Sequence, residues 1–138
     1  MSPAVGQTAT RSATFTADQV ETYARLTGDR NPLHFDEAFT AGTRFGRLLV
    51  QGGLTTGILN ALVAMELPGP GSVFISHNWR FTGPVYIGDT VTAEATVLSV
   101  HASKPVTQLG IRITRQDGEV VLEGEAWCYT AKPAAGGS

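Results

Sequence analysis

The strongest chemical signal in the sequence is a short segment that carries an acid, an amide and an imidazole. Residues 28–36 (GDRNPLHFD) place Asp29, Asn31 and His34 within six positions of one another. Pro32 steers the preceding residue towards extended backbone, so the segment cannot continue as a helix. A rigid turn there would bring Asp29 and His34 together. A carboxylate and an imidazole that share one water can perform acid/base chemistry near neutral pH.

Two other interpretations of this segment stay open on the residues alone. Asp, Asn and Pro are common in turns, and Asp29 also suits the end of the preceding helix. A metal site has less support, because His34 and Asp36 supply only two ligands, while His77 and His101 lie on distant predicted strands. We therefore expect no metal ion in this protein.

A second chemical feature precedes an apolar helix, at Gln51-Gly52-Gly53. Backbone N–H groups in the first turn of a helix are free to bind an anion or a developing oxyanion. Glycine lets a ligand approach the backbone closely. The alternative is that both glycines only relieve crowding where the helix meets its neighbours.

The first half of the chain is predicted to contain two helices joined by a long loop. Thr16 and Gln19 form a capping-box pattern at the start of a short helix, which Gly28 ends. Residues 29–47 are predicted to be mostly loop. The second helix, residues 54–67, is apolar around most of its circumference and is therefore expected to be buried on nearly all sides.

The other elements are predicted strands rich in Val, Ile, Thr and aromatic residues. Apolar and polar residues alternate along several of them, which is typical of strands with one buried face. Asp117-Gly118 marks a tight hairpin turn between the last two. The predicted strands cover residues 10–15, 73–82, 90–101, 105–115 and 119–130.

These elements predict one α+β domain over residues 9–130, in which a curved antiparallel sheet wraps around one long central apolar helix. Residues 1–8 and 131–138 consist largely of small residues and are expected to be flexible tails. One helix and one sheet make a thin core, so two copies of the chain are expected to pair as a homodimer.

The composition excludes several classes of protein. The chain has 138 residues, ten Lys and Arg against twelve Asp and Glu, and a net charge of −2, which argues against a nucleic-acid-binding protein. The single cysteine, Cys128, excludes an internal disulfide or a Cys-cluster zinc site. No apolar stretch suits a signal peptide or a membrane span. We therefore expect a cytoplasmic protein with no membrane partner.

The sequence resembles the MaoC-like (R)-specific enoyl-CoA hydratases and 3-hydroxyacyl-thioester dehydratases of the hot-dog fold. The resemblance covers roughly residues 15 to 130. Its most specific part is the Gly-Asp-x-Asn-Pro-x-His string, followed by a glycine that opens the apolar helix. The other matching residues are Tyr23 to Thr27, Phe45-Gly46-Arg47, Arg80-Phe81, Pro84-Val85, Gly88 to Val91 and Lys104-Pro105.

The resemblance implies a role for individual residues. Asp29 and His34 match the catalytic pair, Asn31 matches the loop amide that orients the pair or its water, and Gly52 matches the backbone donor to the thioester oxygen. It implies a homodimer that acts on acyl thioesters of coenzyme A or an acyl carrier protein, without a cofactor. Gln51 stands where the family usually has His, and Asn60 where bacterial relatives often have Ser; both are expected to support the pocket. Leu48 replaces a frequent Pro.

Two other functions are compatible with a hot-dog domain. A thioesterase would use the same oxyanion site but needs a carboxylate aimed at the carbonyl, and Glu66 lies at the far end of the helix from Gly52. A non-catalytic acyl-thioester-binding protein would keep the pocket without turnover. The residues favour hydration or dehydration over both alternatives.

Overall fold

The computed structural model describes residues 3–133, so the predictions for residues 1–2 and 134–138 lie outside the described residues. The described residues form three helices, one 3-10 turn and one five-stranded antiparallel sheet. In chain order the elements are β1 (Thr8–Thr14), α1 (Ala17–Thr27), the 3-10 turn (Pro32–His34), α2 (Glu37–Ala41), α3 (Gly52–Met65), β2 (Ser72–Phe81), β3 (Thr90–Val100), β4 (Val106–Arg115) and β5 (Val120–Thr130).

The predicted ends of α1 are confirmed. The Thr16 side chain accepts a hydrogen bond from the Gln19 amide, and the Gln19 side chain accepts one from the Thr16 amide, which completes the capping box. Gly28 ends the helix at φ 83°, a left-handed conformation that costs glycine little. The chain therefore leaves α1 at a defined angle and enters the segment that carries Asp29 and His34.

The strands follow the order β1-β3-β4-β5-β2, so β1 and β2 form the two edges. The alternation predicted for β3 and β4 is confirmed, because Val91 and Ala93 on β3 and Leu109 and Ile113 on β4 are fully buried while their neighbours are more exposed. Irregularities in register interrupt the pairing of β2 with β5, β3 with β4, and β4 with β5. Such irregularities add twist and curvature to a sheet.

Helix α3 packs against the apolar face of this sheet, with Leu59 and Leu62 fully buried in a single core. The predicted architecture of one helix on a curved sheet is confirmed. The expectation of burial on nearly all sides was wrong, because Gly53 and Asn60 are exposed and Gly57 is half-buried. Small and polar residues occupy that face, and the single chain does not cover it.

The predicted boundaries need two corrections. Helix α3 begins at Gly52 and ends at Met65, two residues earlier at each end than the predicted 54–67. The sheet begins earlier than the predicted N-terminal tail allows, because β1 starts at Thr8 and both Gly6 and Gln7 hydrogen-bond to Val97. These hydrogen bonds involve main-chain atoms only, so the small side chains of this segment did not indicate them in the sequence.

Two further findings concern residues 3–133 alone. None of their helices combines the length and apolarity that a bilayer crossing requires. No group of three or more His, Cys, Asp and Glu side chains among them is arranged to hold a metal ion.

Candidate active site

His34 is held by the main chain of a segment that lies fifteen residues further on. Its Nδ1 lies 2.7 Å from the carbonyl oxygen of Leu49, and the amide of Leu49 donates to the carbonyl of Leu33 at 2.9 Å. A carbonyl oxygen only accepts hydrogen bonds, so Nδ1 carries the proton and a neutral ring has its lone pair on Nε2. The side chain of His34 is 9% exposed, and the Nε2 edge is the one without a main-chain hydrogen bond among the described residues.

Asp29 faces that edge of the imidazole. Its Oδ2 lies 3.8 Å from His34 Nε2, and its side chain is 42% exposed. The gap is too long for a direct hydrogen bond but suits one water that contacts both atoms. The predicted meeting of the acid and the imidazole is therefore present in the structure, with Asp29 on the solvent side.

Asn31 shapes the turn between these two side chains. Its backbone N–H donates to Asp29 Oδ1 at 3.2 Å, and its side-chain Oδ1 accepts from the Leu33 amide at 3.0 Å. The first bond orients the carboxylate, and the second caps the 3-10 turn that ends at His34. Asn31 thus acts on the pair mainly through backbone geometry.

An ion pair ties the same turn to α1. Arg30 donates to Glu21 through two nitrogens, at 2.6 and 3.2 Å, and its guanidinium lies 5.4 Å from the centre of the Phe35 ring. The hydrogen bond from Arg30 holds the pKa of the Glu21 carboxyl below its usual range. Arg30 therefore connects the loop to α1.

Gly52 is the first residue of α3. The first helical hydrogen bond runs from the Thr55 amide to the Gln51 carbonyl, and the Gln51 side chain does not cap the helix. The N–H groups of the first turn therefore have no partner within the helix, and they sit at its positive end. Val50 bonds to the Val85 carbonyl at 2.8 Å, which anchors the chain just before this turn.

Gly52 and His34 border the same cleft, whose volume is about 470 Å³. Its walls are apolar and aromatic, apart from Arg44, Thr55 and Thr82. The lining residues are His34, Arg44, Phe45, Leu49, Val50, Gly52, Thr55, Phe81, Thr82, Gly83, Pro84, Val85, Tyr86 and Val121. Such a cleft can hold an acyl chain beside one imidazole and one helix terminus.

The two glycines that open α3 have different roles. A Cβ on Gly53 would overlap the Tyr23 hydroxyl, so this glycine relieves crowding against α1. A Cβ on Gly52 would lie 3.2 Å from the Phe81 ring, and Gly52 lines the cleft. The crowding alternative therefore applies chiefly to Gly53, while Gly52 leaves its backbone open to the cleft.

The two supporting polar residues lie away from the cleft. Gln51 is 1% exposed and donates through Nε2 to the Val20 carbonyl at 3.0 Å, which joins the start of α3 to α1. Its Oε1 has no hydrogen-bond partner among the described residues. Asn60 lies on the exposed face of α3 and does not line the cleft. Gln51 thus connects α3 to α1, and Asn60 is not part of the cleft formed by the described residues.

Sequence reasoning missed several residues of the site. The carbonyl of Leu49 selects the proton position on His34, but a main-chain atom leaves no mark in the sequence. Tyr86 and Phe81 line the cleft from the segment that follows β2 and from the end of that strand. Their aromatic character was visible in the sequence, whereas their proximity to His34 depends on the fold.

The position of Glu66 bears on the thioesterase alternative. Glu66 follows the last turn of α3 and forms an ion pair with Arg11 at 3.2 Å. It does not line the cleft that contains His34 and Gly52. The carboxylate at the C-terminal end of this helix is therefore unavailable for attack at the cleft.

Comparisons with known proteins agree with this geometry. The chain is 42% identical over 122 residues to an (R)-specific enoyl-CoA hydratase of Aeromonas caviae, covering 88% of this chain and 91% of that protein. It is 38% identical to a 3-hydroxybutyryl-CoA dehydratase of Methylorubrum extorquens, covering 88% of this chain and 77% of that one.

Solved structures give the same result. An (R)-hydratase from A. caviae involved in PHA biosynthesis superposes with a TM-score of 0.90 at 40% identity, covering 94% of this chain and 98% of that one. An R-hydratase of Pseudomonas aeruginosa in its unliganded form gives a TM-score of 0.87 at 33% identity, covering 95% and 84%. The predicted hot-dog fold is confirmed by these neighbours. Residues 2–117 match the family described as "MaoC like domain", and the chain belongs to this MaoC-like family.

Proposed function

We propose that this protein is an (R)-specific hydratase of trans-2-enoyl thioesters, which also catalyses the reverse dehydration of (R)-3-hydroxyacyl thioesters. The main support for the proposal is the distance of 3.8 Å between Asp29 Oδ2 and His34 Nε2, which leaves room for one water. His34 borders an apolar cleft that Gly52 also borders. The relatives named as enoyl-CoA hydratase and 3-hydroxybutyryl-CoA dehydratase support the same reaction class.

Asp29 and His34 activate the water. The water sits between Oδ2 and Nε2, and the pair removes one proton as the oxygen attacks Cβ of the enoyl group. The same proton then returns to Cα, so that the water's OH and H are both accounted for without a change of oxidation state. Because the two groups are coupled through one water, the pair acts as a unit and neither member is singled out as the base.

Gly52 stabilises the charge that develops during this attack. Electrons move from the double bond towards the thioester oxygen, which becomes partly negative. The backbone N–H of Gly52, in the first turn of α3, donates to that oxygen. One such donor is worth roughly 3 kcal/mol in acyl-transfer enzymes.

The acyl chain extends along the apolar walls of the cleft. Val50, Val85 and Val121 supply aliphatic contacts, and Phe81 supplies a large aromatic surface. The thioester is carried by coenzyme A or by an acyl carrier protein, since both present the same pantetheine arm. The reaction takes place on one face of the enoyl group because the water is held on one side only.

The active form is a homodimer that pairs through β2. This edge strand exposes Val73, Ile75 and Phe81 at 59, 56 and 57%. An apolar edge of this kind favours pairing with another strand over exposure to water. Light scattering tests this arrangement, and Ile75→Lys should shift the protein towards the monomer. A monomeric unsubstituted protein would contradict it.

The function is tested with Asp29→Asn and His34→Ala. Each should lower the rate at which the conjugated enoyl-thioester absorbance disappears by at least about a hundredfold, as expected for a lost general acid/base. Asp36→Asn is the matched control, because Asp36 caps α2 by accepting from the Phe39 amide and Asn caps equally well. It should keep near-normal activity.

Two further measurements separate the other functions. Release of free thiol from saturated acyl-CoA, detected with a thiol reagent, would indicate a thioesterase. Binding of acyl-CoA without turnover, unaffected by His34→Ala, would indicate a non-catalytic binding protein. Either result would contradict the proposed hydration.

A further inference from the structure

Two arginines near the cleft form no ion pair among residues 3–133. Arg44 and Arg47 lie on the loop between α2 and α3, and both are exposed. Neither forms an ion pair with a carboxylate of residues 3–133, whereas Arg11, Arg30, Arg80 and Arg115 all do so. An unpaired guanidinium beside a cleft is available for an anionic ligand.

Aromatic rings support both side chains. The guanidinium carbon of Arg44 lies 4.8 Å from the centre of the Phe45 ring, and that of Arg47 lies 4.1 Å from the centre of the Tyr86 ring. Cation–π contacts of this length orient a guanidinium without neutralising its charge. Both groups are therefore partly ordered before a ligand arrives, which lowers the entropic cost of binding.

The two arginines line two spaces that share Tyr86. Arg44, Phe45 and Tyr86 line the cleft that contains His34. Tyr86 also borders a neighbouring hollow of about 280 Å³, which Arg47 lines as well. Tyr86 thus lines both the cleft and the hollow, while Arg44 lines the cleft and Arg47 lines the hollow.

The other charges near Tyr86 leave these two arginines as the available cations. Arg115 approaches the same ring at 5.9 Å, but it donates to both carboxylate oxygens of Asp117. Glu37 borders the hollow and forms no ion pair with Arg47 among the described residues. Asp89 also accepts a hydrogen bond from the Tyr86 amide, at 2.8 Å, but it is buried. The exposed cations without an ion pair among residues 3–133 at this rim are therefore Arg44 and Arg47.

We propose that Arg44 and Arg47 bind the phosphate at the end of the pantetheine arm of the thioester substrate. This inference rests on the proposed function, because it assigns the carrier end of the same substrate. The arm phosphate is common to coenzyme A and to a phosphopantetheinylated carrier protein. A planar guanidinium can donate two parallel hydrogen bonds to one phosphate, which suits this role better than a point charge.

Three enoyl thioesters with the same acyl group test the proposal: the N-acetylcysteamine thioester without phosphate, the pantetheine 4′-phosphate thioester, and the coenzyme A thioester. Arg44→Gln and Arg47→Gln should each raise KM for both phosphate-bearing substrates about tenfold, the low end for losing a charge-assisted hydrogen bond at an exposed site. The preference for these substrates over the phosphate-free thioester should fall by the same factor. Added salt should reduce that preference in the unsubstituted protein.

Arg112→Gln is the matched control, because Arg112 also lacks an ion pair among the described residues but lies on the exposed face of β4, away from the cleft. It should leave the preference unchanged. An unchanged preference in the Arg44 and Arg47 variants, or an equal loss on the phosphate-free thioester, would overturn the proposal. An effect confined to the coenzyme A thioester would also overturn it and assign the arginines to the nucleotide.

Failure of the proposed function is recognised separately. Turnover of the phosphate-free thioester by the unsubstituted protein reports hydration alone, whatever the arginines do. Calorimetric binding of free coenzyme A reports the phosphate site without any turnover. A protein that hydrates the short thioester but binds coenzyme A equally with and without the arginines would retain the function and lose this proposal.

Discussion

The loop between α1 and α3 and the sheet formed by β3, β4 and β5 are stabilised in different ways. In the sheet, many similar apolar contacts and inter-strand hydrogen bonds each contribute part of the stability. Buried residues such as Leu109 and Ile113 recur at every second position. In the loop, single hydrogen bonds fix single groups, as Leu49 does for His34. The difference suggests that sheet substitutions mainly change stability, whereas loop substitutions mainly change activity.

The largest stability effect is expected in the sheet. Leu109→Ala removes a fully buried side chain from β4 and should lower the free energy of unfolding by about 2–5 kcal/mol, because the core does not collapse fully around the cavity. Denaturant titration measures this loss. His34→Ala should cost less stability and far more activity, and an opposite ranking would contradict the comparison.

The second prediction uses two glycines of the same helix. Gly53→Ala should destabilise the protein by about 1–3 kcal/mol, because its methyl group overlaps the Tyr23 hydroxyl and the ring must move. Gly57→Ala has no atom within 4 Å of the new Cβ and should stabilise by up to about 1 kcal/mol through helix propensity. Thermal unfolding of both variants measures the difference, and equal shifts would show that Tyr23 adapts without cost.

The third prediction concerns the cap that orders the loop. Asn31→Ala removes the acceptor for the Leu33 amide and should cost about 1 kcal/mol, as other lost caps do. Its effect on activity should exceed its effect on the melting temperature, since the cap positions His34. Asn31→Asp keeps the acceptor oxygen and should restore part of the activity; equal activity of the Ala and Asp variants would show that the cap is dispensable.

The smallest effect is a pH dependence at the edge of the loop. Arg30 lowers the pKa of Glu21 from its usual value of 4.5, so the pair stabilises the folded protein above that value and the contribution is lost as pH falls through the lowered pKa. Glu21→Gln should therefore reduce the loss of melting temperature between neutral pH and about pH 3. Glu94→Gln, which removes a carboxylate without an ion pair among residues 3–133, should change it less.

The sequence predicted the repeated features of the fold better than the contacts of the site. The capping box of Thr16 and Gln19, the stop at Gly28 and the alternation along β3 and β4 were all visible, because each depends on residue types at short fixed spacings. The exposure of one face of α3 was not predicted, since Gly53 and Gly57 gave no indication of whether other residues cover them. The approach of Asp29 to His34 was predicted from their spacing and Pro32.

The remaining contacts of the site depend on distant parts of the chain. The hydrogen bond from His34 to Leu49 involves a main-chain carbonyl. Because every residue carries such a group, the sequence did not single out Leu49. Gln51 suggested a pocket residue, but its side-chain amide donates to the Val20 carbonyl because α1 lies beside the start of α3. Such contacts follow from the relative placement of whole elements, which short-range patterns do not encode.

The main chain and the side chain of Leu49 make different contacts. Its carbonyl oxygen sets which nitrogen of His34 holds hydrogen, while its side chain forms part of the cleft wall. Exchange of this side chain for another apolar one can reshape the space for a substrate while every proton stays in place. An apolar substitution at position 49 is therefore expected to change the shape of the cleft and to leave the hydrogen bond that holds His34 in place.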